Sequence, residues 1–434
     1  MKYLIPPVNS GKLKSWGKLL TIVASGQVLI QLIGLVSGIL IIRLLPTKEY
    51  ALYTIANTML GAMTLLADGG ISMGVMAQGG KVWQDRQKLG VVVVTGLELR
   101  KKFALISLVF TVPILAYLLI HNGASWFVCL LIILALIPAF FAALSDSLLE
   151  IAPKLHQDIG SLQTNQIFAA LGRIVLITSS LFLFPWTFIA IIGNGIPRMW
   201  ANIRLRKISN RHADFKQSRD PVIEKQVLSI VKRSLPETIY YCFSGQIYIW
   251  LLSFFGSSNS VAQLGALGRL SLALTLFLSL VNTLLVPRFA RLASNYKVLL
   301  KRFLQVLAGV ILLCTGIVLL TYLFPSQILW ILGKKYSGLD SYLVLNFIGS
   351  CLGLVVGIAF SLYASRGWII NPLFSIPFNI AMLICGALIF KVVTIQGVLL
   401  FTIFIGVTQA LMHITYAIFK ILNLRKDYFH LTGV

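Results

Sequence analysis

Twelve stretches nearly free of charged side chains follow one another along the chain, and Lys and Arg crowd every second gap between them. An α-helix rises about 1.5 Å per residue, so about 20 apolar residues carry it across the roughly 30 Å of bilayer hydrocarbon. The pattern predicts membrane helices over 19–42, 51–78, 103–120, 125–149, 165–184, 186–203, 235–256, 265–287, 303–324, 341–363, 372–391 and 397–420. Hydrocarbon offers no hydrogen bond to a free backbone amide, which leaves the helix as the spanning element for runs of this length. Polar interruptions in the second and fourth stretches predict bends there. The fold class is therefore an all-α polytopic membrane protein with about 12 transmembrane helices.

Composition agrees: 58% of the residues are hydrophobic, 12% are charged, and the mean hydropathy is +0.88. Most of the 37 Lys and Arg fall in the N-terminal tail, the even-numbered loops and the C-terminal tail. The positive-inside rule then puts both termini in the cytoplasm. The densest block, 204–233, contains Arg204, Arg206, Lys207, Arg211, Lys216, Arg219, Lys225, Lys232 and Arg233. It lacks stacking aromatics and a base-reading motif, so the net charge of +24 points to topology and anionic lipid headgroups and away from nucleic acid. The apolar run at 19–45 is too long for the core of a cleaved signal and is read as the first membrane helix.

Catalytic constellations are missing. The chain has no DxD, HExxH, GxxxxGK[ST] or GxSxG, and its five histidines, His121, His156, His212, His413 and His430, are scattered. His413 is the one that falls within a predicted span, where a packing role and a proton-relay role both stay open. Cys129, Cys242, Cys314, Cys351 and Cys385 lie in apolar spans without CxxC spacing, so neither a zinc site nor a disulfide framework is indicated. No metal, cofactor or catalytic residue is expected. Without a nucleotide-binding loop, transport would be passive, ion-coupled or driven by a partner. The short loops on the external side, the longest at about 325–340, count against a lipid-linked-sugar polymerase.

The basic segment divides the helices six and six, as in transporters built from parallel repeats. This predicts an N-terminal lobe over 1–212, a C-terminal lobe over 213–434 and a V-shaped cavity between them. A short echo fits the division: Ser25-Gly26-Gln27 in the first helix returns as Ser244-Gly245-Gln246 in the seventh. If the echo reflects a repeat, Gln27 and Gln246 face each other across the cleft.

Five ordered segments carry a resemblance: LLPTKEYALY at 44–53, LADGG at 66–70, SNSVAQLGALGRL at 258–270, VPRFARL at 286–292 and FPSQILWILGKKY at 324–336. They resemble the polysaccharide (O-antigen and exopolysaccharide) flippases of the multidrug, oligosaccharidyl-lipid and polysaccharide exporter superfamily. Ala51 stands where that family commonly has Gly, and the seventh helix has Gln246 and Tyr248 where it often has Asp. The second departure leaves ion coupling open. The resemblance implies alternating access that moves an undecaprenyl-pyrophosphate-linked oligosaccharide from the cytoplasmic to the external leaflet of a bacterial inner membrane. It also implies membrane lipids, a polysaccharide polymerase and other assembly proteins as partners. Two other readings are a drug or peptidoglycan-precursor exporter of the same superfamily and a membrane enzyme of envelope-glycan synthesis.

Ionisable residues in spans are costly and mark candidate cavity positions. Arg173 is expected roughly 12 to 14 Å into the fifth helix, where its guanidinium suits either bidentate phosphate contact or a structural ion pair. Asp68, before Gly69 and Gly70, is a cavity candidate or a capping acid. Arg198, after Pro197, faces headgroups or substrate. Arg43 and Arg269 sit toward the external ends of their helices, where snorkelling is the ordinary alternative to lining the cavity. Asp146, Glu150 and Glu237 read as local ion-pair or helix-end residues. Gln31, Asn57, Asn165, Gln166, Asn282 and Asn346 suit sugar hydroxyls or interhelical bonds equally.

Overall fold

The computed structural model describes residues 10–432 except 287, 288, 290, 291, 293, 294, 367 and 369. The side chains of 10–25, 27, 233, 234, 237, 241, 243, 246, 283, 284 and 425–432 lie outside that description. Among the described residues every element is helical: α1 (Ser10–Leu44), α2 (Thr47–Asp68), α3 (Ile71–Val82), α4 (Arg86–His121), α5 (Trp126–Leu149), α6 (Ile151–Leu155), α7 (Ile159–Leu183) and α8 (Thr187–His212). They continue with α9 (Pro221–Phe255), α10 (Ser258–Ser271), α11 (Leu274–Leu284), α12 (Tyr296–Leu323), α13 (Pro325–Trp330), α14 (Asp340–Ala364), α15 (Pro372–Ile389) and α16 (Ile395–Thr432). Among the described residues, nine helical stretches are long and apolar enough to cross a membrane, and α1, α8 and α9 bring the number to twelve.

Two expected spans depart from single helices. The second breaks at Gly69 and Gly70, whose φ of 50° and 94° lie in the left-handed region that only glycine enters cheaply. Asp68 then caps the new helix, accepting from the Ser72 backbone N–H at 3.2 Å and the Ser72 hydroxyl at 2.6 Å. The eighth span divides into α10 and α11 through a tightened turn just past Arg269, in which Leu272, Ala273 and Thr275 donate to carbonyls three residues back. The fourth runs unbroken through Pro138, and its bend comes later, between α5 and α6 at Glu150.

A buried guanidinium ties these pieces together. Arg100, only 2% exposed on α4, pairs with Asp68 and donates to Ser72 Oγ at 2.6 Å, to Ser147 Oγ at 2.5 Å and to the Leu144 carbonyl. One side chain thereby joins α2, α3, α4 and α5. An apolar cluster lies beside it, in which Ile71, Val75, Leu89, Val93 and Ile151 pack with Ala213, Val227 and Val231. The segment expected to open the second lobe thus shares a core with α3 and α4. Along its length α9 packs on α2, α3 and α4 and also on α10, α15 and α16.

The bundle has a basic end, where α1 begins and the 204–233 segment lies, and an opposite end, where α1 finishes. At the opposite end the lobes are latched. Arg43 donates to the Ile331 and Trp330 carbonyls at 2.8 and 2.7 Å, and Lys335 donates to the Leu45 carbonyl at 2.7 Å. Asn122 bonds Ser253 Oγ at 2.8 Å and accepts from Ser258 at 3.0 Å. Deeper in, α10 crosses α2 so closely that a Cβ on Gly265 would lie 2.6 Å from Thr54 Oγ1.

Two stability outcomes follow from this packing. Gly265→Ala should lower the thermal midpoint of the purified protein by the equivalent of about 1–3 kcal/mol, the cost of overpacking. Gly268→Ala, whose added Cβ meets nothing within 4 Å, should not. Arg100→Met should cost about 3 kcal/mol, the lower part of the range for stranding a buried partner, because the Asp68 side chain keeps 30% of its exposure. Adding Asp68→Asn to Arg100→Met should restore part of that loss. An Arg100→Met protein that melts with the wild type would show that the pair bears no load.

Candidate functional site

Polar residues recur at helical spacing along one face each of α2, α5, α7 and α8, and these faces converge. Asn57, Thr64 and Asp68 come from α2, Asp146, Ser147 and Glu150 from α5 and its end, Asn165, Gln166 and Arg173 from α7, and Asn194 and Arg198 from α8. They line two spaces of about 500 and 450 Å³. The spaces share Asn57, Leu60, Ala143, Ser147 and Arg198 in their walls and form one cleft, extending from Arg269 to the Asp68–Arg100 pair. This cleft explains why α8 is less apolar than its length leads one to expect: its polar stripe faces water-accessible space, not lipid.

Five arginines at membrane depth have different fates. Arg100 is engaged through its two terminal nitrogens as described above, while its buried Nε has no hydrogen-bond partner among the described residues. Arg198 pairs with Asp146 at 3.0 Å, and Asn202 donates to the other oxygen of the same carboxylate at 2.6 Å. Glu150 is engaged by Lys154 at 2.6 Å and accepts from Gln166 at 3.0 Å. Both acids of the larger space are therefore already matched. Arg173 has no ion pair among the described residues, and its Nε has no hydrogen-bond partner there. Arg269 reaches the same space from α10, flanked by the hydroxyls of Tyr50 and Tyr53, likewise without a carboxylate among the described residues. Arg198 and Arg269 each lie close enough to Arg173 for their charges to act on it.

Between the two unmatched guanidiniums runs the small-residue face of α1. A Cβ on Gly34 would sit 3.6 Å from Arg173 Nη2, and one on Gly38 would sit 3.3 Å from Arg269 Cδ. The four-residue spacing puts both glycines on one face, where they leave room for an arginine from each lobe. That GxxxG face is legible in the sequence, yet it reads there as helix-packing surface.

The expected site residues divide accordingly. The structure brings Arg173, Arg198 and Arg269 together, and Asp68 at the basic end of the same cleft, where it is held by Arg100. Arg43 is not among the lining residues: it is exposed at the opposite end, with its guanidinium 5.0 Å above the Trp330 ring, because the Trp330 and Ile331 carbonyls at the end of α13 satisfy it there. Gln27 and Gln246 have side chains outside the described residues. Asn165 and Asn346 bond across helices, to the Ala201 carbonyl at 2.9 Å and to Ser271 Oγ at 2.7 Å. α7 starts at Ile159, earlier than the expected 165, so Arg173 stands roughly 21 Å along the helix. Sequence reasoning missed Arg100, since the third span was expected to start only at 103. No group of three or more His, Cys, Asp or Glu side chains suited to a metal occurs among the described residues.

No protein-family model matches the sequence, and no curated protein matches it. Solved structures do match. The inward-facing conformation of a multidrug resistance MATE family transporter of the MOP superfamily superposes with a TM-score of 0.73 at 15% identity, covering 92% of this chain and 96% of that one. The outward-facing conformation of such a transporter gives 0.63 at 15% identity, covering 94% and 95%. A MOP superfamily transporter from Pyrococcus furiosus Vc1, described by the reverse polarity of its binding pocket, gives 0.59 at 14% identity, covering 94% and 95%. The chain has the two-lobed fold of the MATE transporters over nearly its whole length.

Proposed function

We propose that the protein is a flippase that carries undecaprenyl-pyrophosphate-linked oligosaccharide repeat units from the cytoplasmic to the external leaflet, by alternating access between its lobes. The observation that carries this reading is the charge balance of the cleft. Asp146 and Glu150 are matched by Arg198 and Lys154, while Arg173 and Arg269 have no carboxylate partner among the described residues, which leaves their positive charge for an anion. A desolvated pyrophosphate needs that compensation to enter a membrane, and Asn57, Asn194 and Gln166 offer hydrogen bonds to sugar hydroxyls beside it. The lipid tail stays in the surrounding hydrocarbon. The latched opposite end and the higher TM-score with the inward-facing relative support a conformer that loads from the basic side, which this reading makes cytoplasmic.

A second reading is export of another amphiphile, favoured by the multidrug resistance transporters among the structural neighbours. Two unmatched guanidiniums repel a cationic drug, so on this reading too the cargo is anionic. The absence of a catalytic constellation from the sequence weighs against a membrane enzyme. Delivery to the external leaflet would hand the repeat unit to a polymerase there.

Leaflet-resolved transport of defined lipid-linked glycans in proteoliposomes tests the proposal. A charge-assisted hydrogen bond contributes about 1.5–3 kcal/mol, so Arg173→Gln should reduce transport about tenfold to several hundredfold at normal abundance. Arg173→Lys should keep part of the activity, because an ammonium supplies charge without the bidentate fork. Wild-type transport by a well-folded Arg173→Gln protein would remove Arg173 from the substrate site. Sidedness has its own check: a Cys placed at Ser218 should resist an impermeant thiol reagent added to intact cells, and ready labelling would invert the topology.

A further inference from the structure

The C-terminal lobe carries an open groove, apart from the arginine cleft. Phe374 and Phe378 of α15 form one wall, and Thr408, Leu411, Thr415 and Phe419 of α16 form the other, around a space of about 650 Å³. Toward the opposite end of the bundle α15 and α16 pack tightly: a Cβ on Gly386 would lie 2.5 Å from Phe401 Cε2. The groove lies toward the basic end, between the start of α15 and the finish of α16. Phe374 and Phe378, one turn apart, stack with ring centroids separated by 6.0 Å and give that wall a continuous aromatic surface. Ile370 and Met412 line both the groove and, behind it, a small pocket that also has Tyr240, Tyr363, Asn379 and His413 in its walls.

Two of the wall residues are polar in the sequence and yet leave the groove apolar. Thr408 Oγ1 donates to the Ile405 carbonyl at 2.9 Å and Thr415 Oγ1 to the Leu411 carbonyl at 2.6 Å, so both hydroxyls are used within α16. From Thr408 to Phe419 the wall runs roughly 16 Å along the helix, about half of the roughly 30 Å of bilayer hydrocarbon. The groove is one leaflet deep. Twelve spans return the last turns of α16 to the end where α1 begins, and there the groove meets a cation. Lys420 holds its ammonium 5.8 Å above the ring of Tyr416, itself a wall residue, and Asn371 lines the groove at the start of α15. The ion pairs among the described residues do not include Lys420, and no wall residue is a carboxylate.

We propose that this groove binds an anionic phospholipid of the leaflet at the basic end, with one acyl chain lying between α15 and α16 and the phosphate at Lys420. Lipid tails are as apolar as the groove, so the chain seats by shape and gains no hydrophobic driving force over the surrounding bilayer. The headgroup therefore decides which lipid stays, and a lysine at the membrane surface attracts an anionic one. The stem of Lys420 lies along the groove's apolar end while its ammonium stays at the headgroup level. A membrane helix of a partner would need a face about 30 Å long, twice what the groove offers. The cleft that the transport reading gives to the cargo shares no wall residue with the groove.

Photolabelling of the full chain in nanodiscs tests the lipid site without any cargo movement, so a protein that moves no glycan would sink the transport reading alone. Phosphatidylglycerol carrying a diazirine on one acyl chain, diluted into phosphatidylcholine, should leave adducts on 370–380 and 408–419. The same diazirine on phosphatidylcholine should label those segments several-fold less. Lys420→Gln should lower the phosphatidylglycerol adducts there about fivefold, the factor for one lysine at an anionic surface. Adducts at exposed Leu312 and Leu320 of α12 should not change in that variant, and Lys420→Arg, which keeps the charge, should label as the wild type does. Equal labelling of the groove by the two lipids, or undiminished labelling in Lys420→Gln, overturns the site. Displacement of the phosphatidylglycerol adducts by diazirine-bearing undecaprenyl pyrophosphate would give the groove to the cargo's tail instead. Cross-links between two chains at 408–419 in place of lipid adducts would give it to a second copy of the protein.

Discussion

A guanidinium at membrane depth has to be answered by an acid, a carbonyl, a hydroxyl or water, and much of this structure is arranged around how five arginines obtain those answers. Arg100 is answered through both terminal nitrogens, with only its buried Nε lacking a partner, and in being answered it gathers four helices and holds the break at Gly69 and Gly70. Arg43 is answered by loop carbonyls of the other lobe and so becomes a latch. Arg198 is answered by Asp146 within its own lobe. Arg269 is answered by the hydroxyls of Tyr50 and Tyr53, whereas Arg173 faces the cleft without an ion pair among the described residues.

That distribution links folding to movement. The interlobe hydrogen bonds at the opposite end join side chains to carbonyls and hydroxyls, groups that water can also satisfy. At the basic end the tie is of another kind: the first turns of α9 are sealed into an apolar core with α3 and α4. Polar contacts of the first kind can exchange with water, whereas a buried apolar cluster cannot do so without exposing its side chains. The glycines of α1 serve the same economy of space, since Gly34 and Gly38 admit an arginine from each lobe to one helix face.

The two lobes divide their chemistry. The first holds the charge-bearing cleft, with Arg269 as the contribution of the second. The second holds a small pocket whose titratable wall groups are an imidazole and phenols.

The sequence by itself determined the membrane setting, the helical class, the number of spans and the positions of costly charges, because hydrocarbon imposes a local rule that every 20-residue window must obey. It also marked Asp68-Gly69-Gly70 as a weak point, since glycine's freedom is local too. Only the tertiary structure decided which charges were spoken for. Arg43 and Arg269 look alike in the chain, both near a helix end, yet one bonds to loop carbonyls 287 and 288 residues away and the other faces the cleft. Arg100 fell in a stretch that reads as a loop until α4 is seen to extend inward to Asp68. Pairing is a property of distance in space, and a local pattern of polar and apolar residues does not encode which helix will stand opposite.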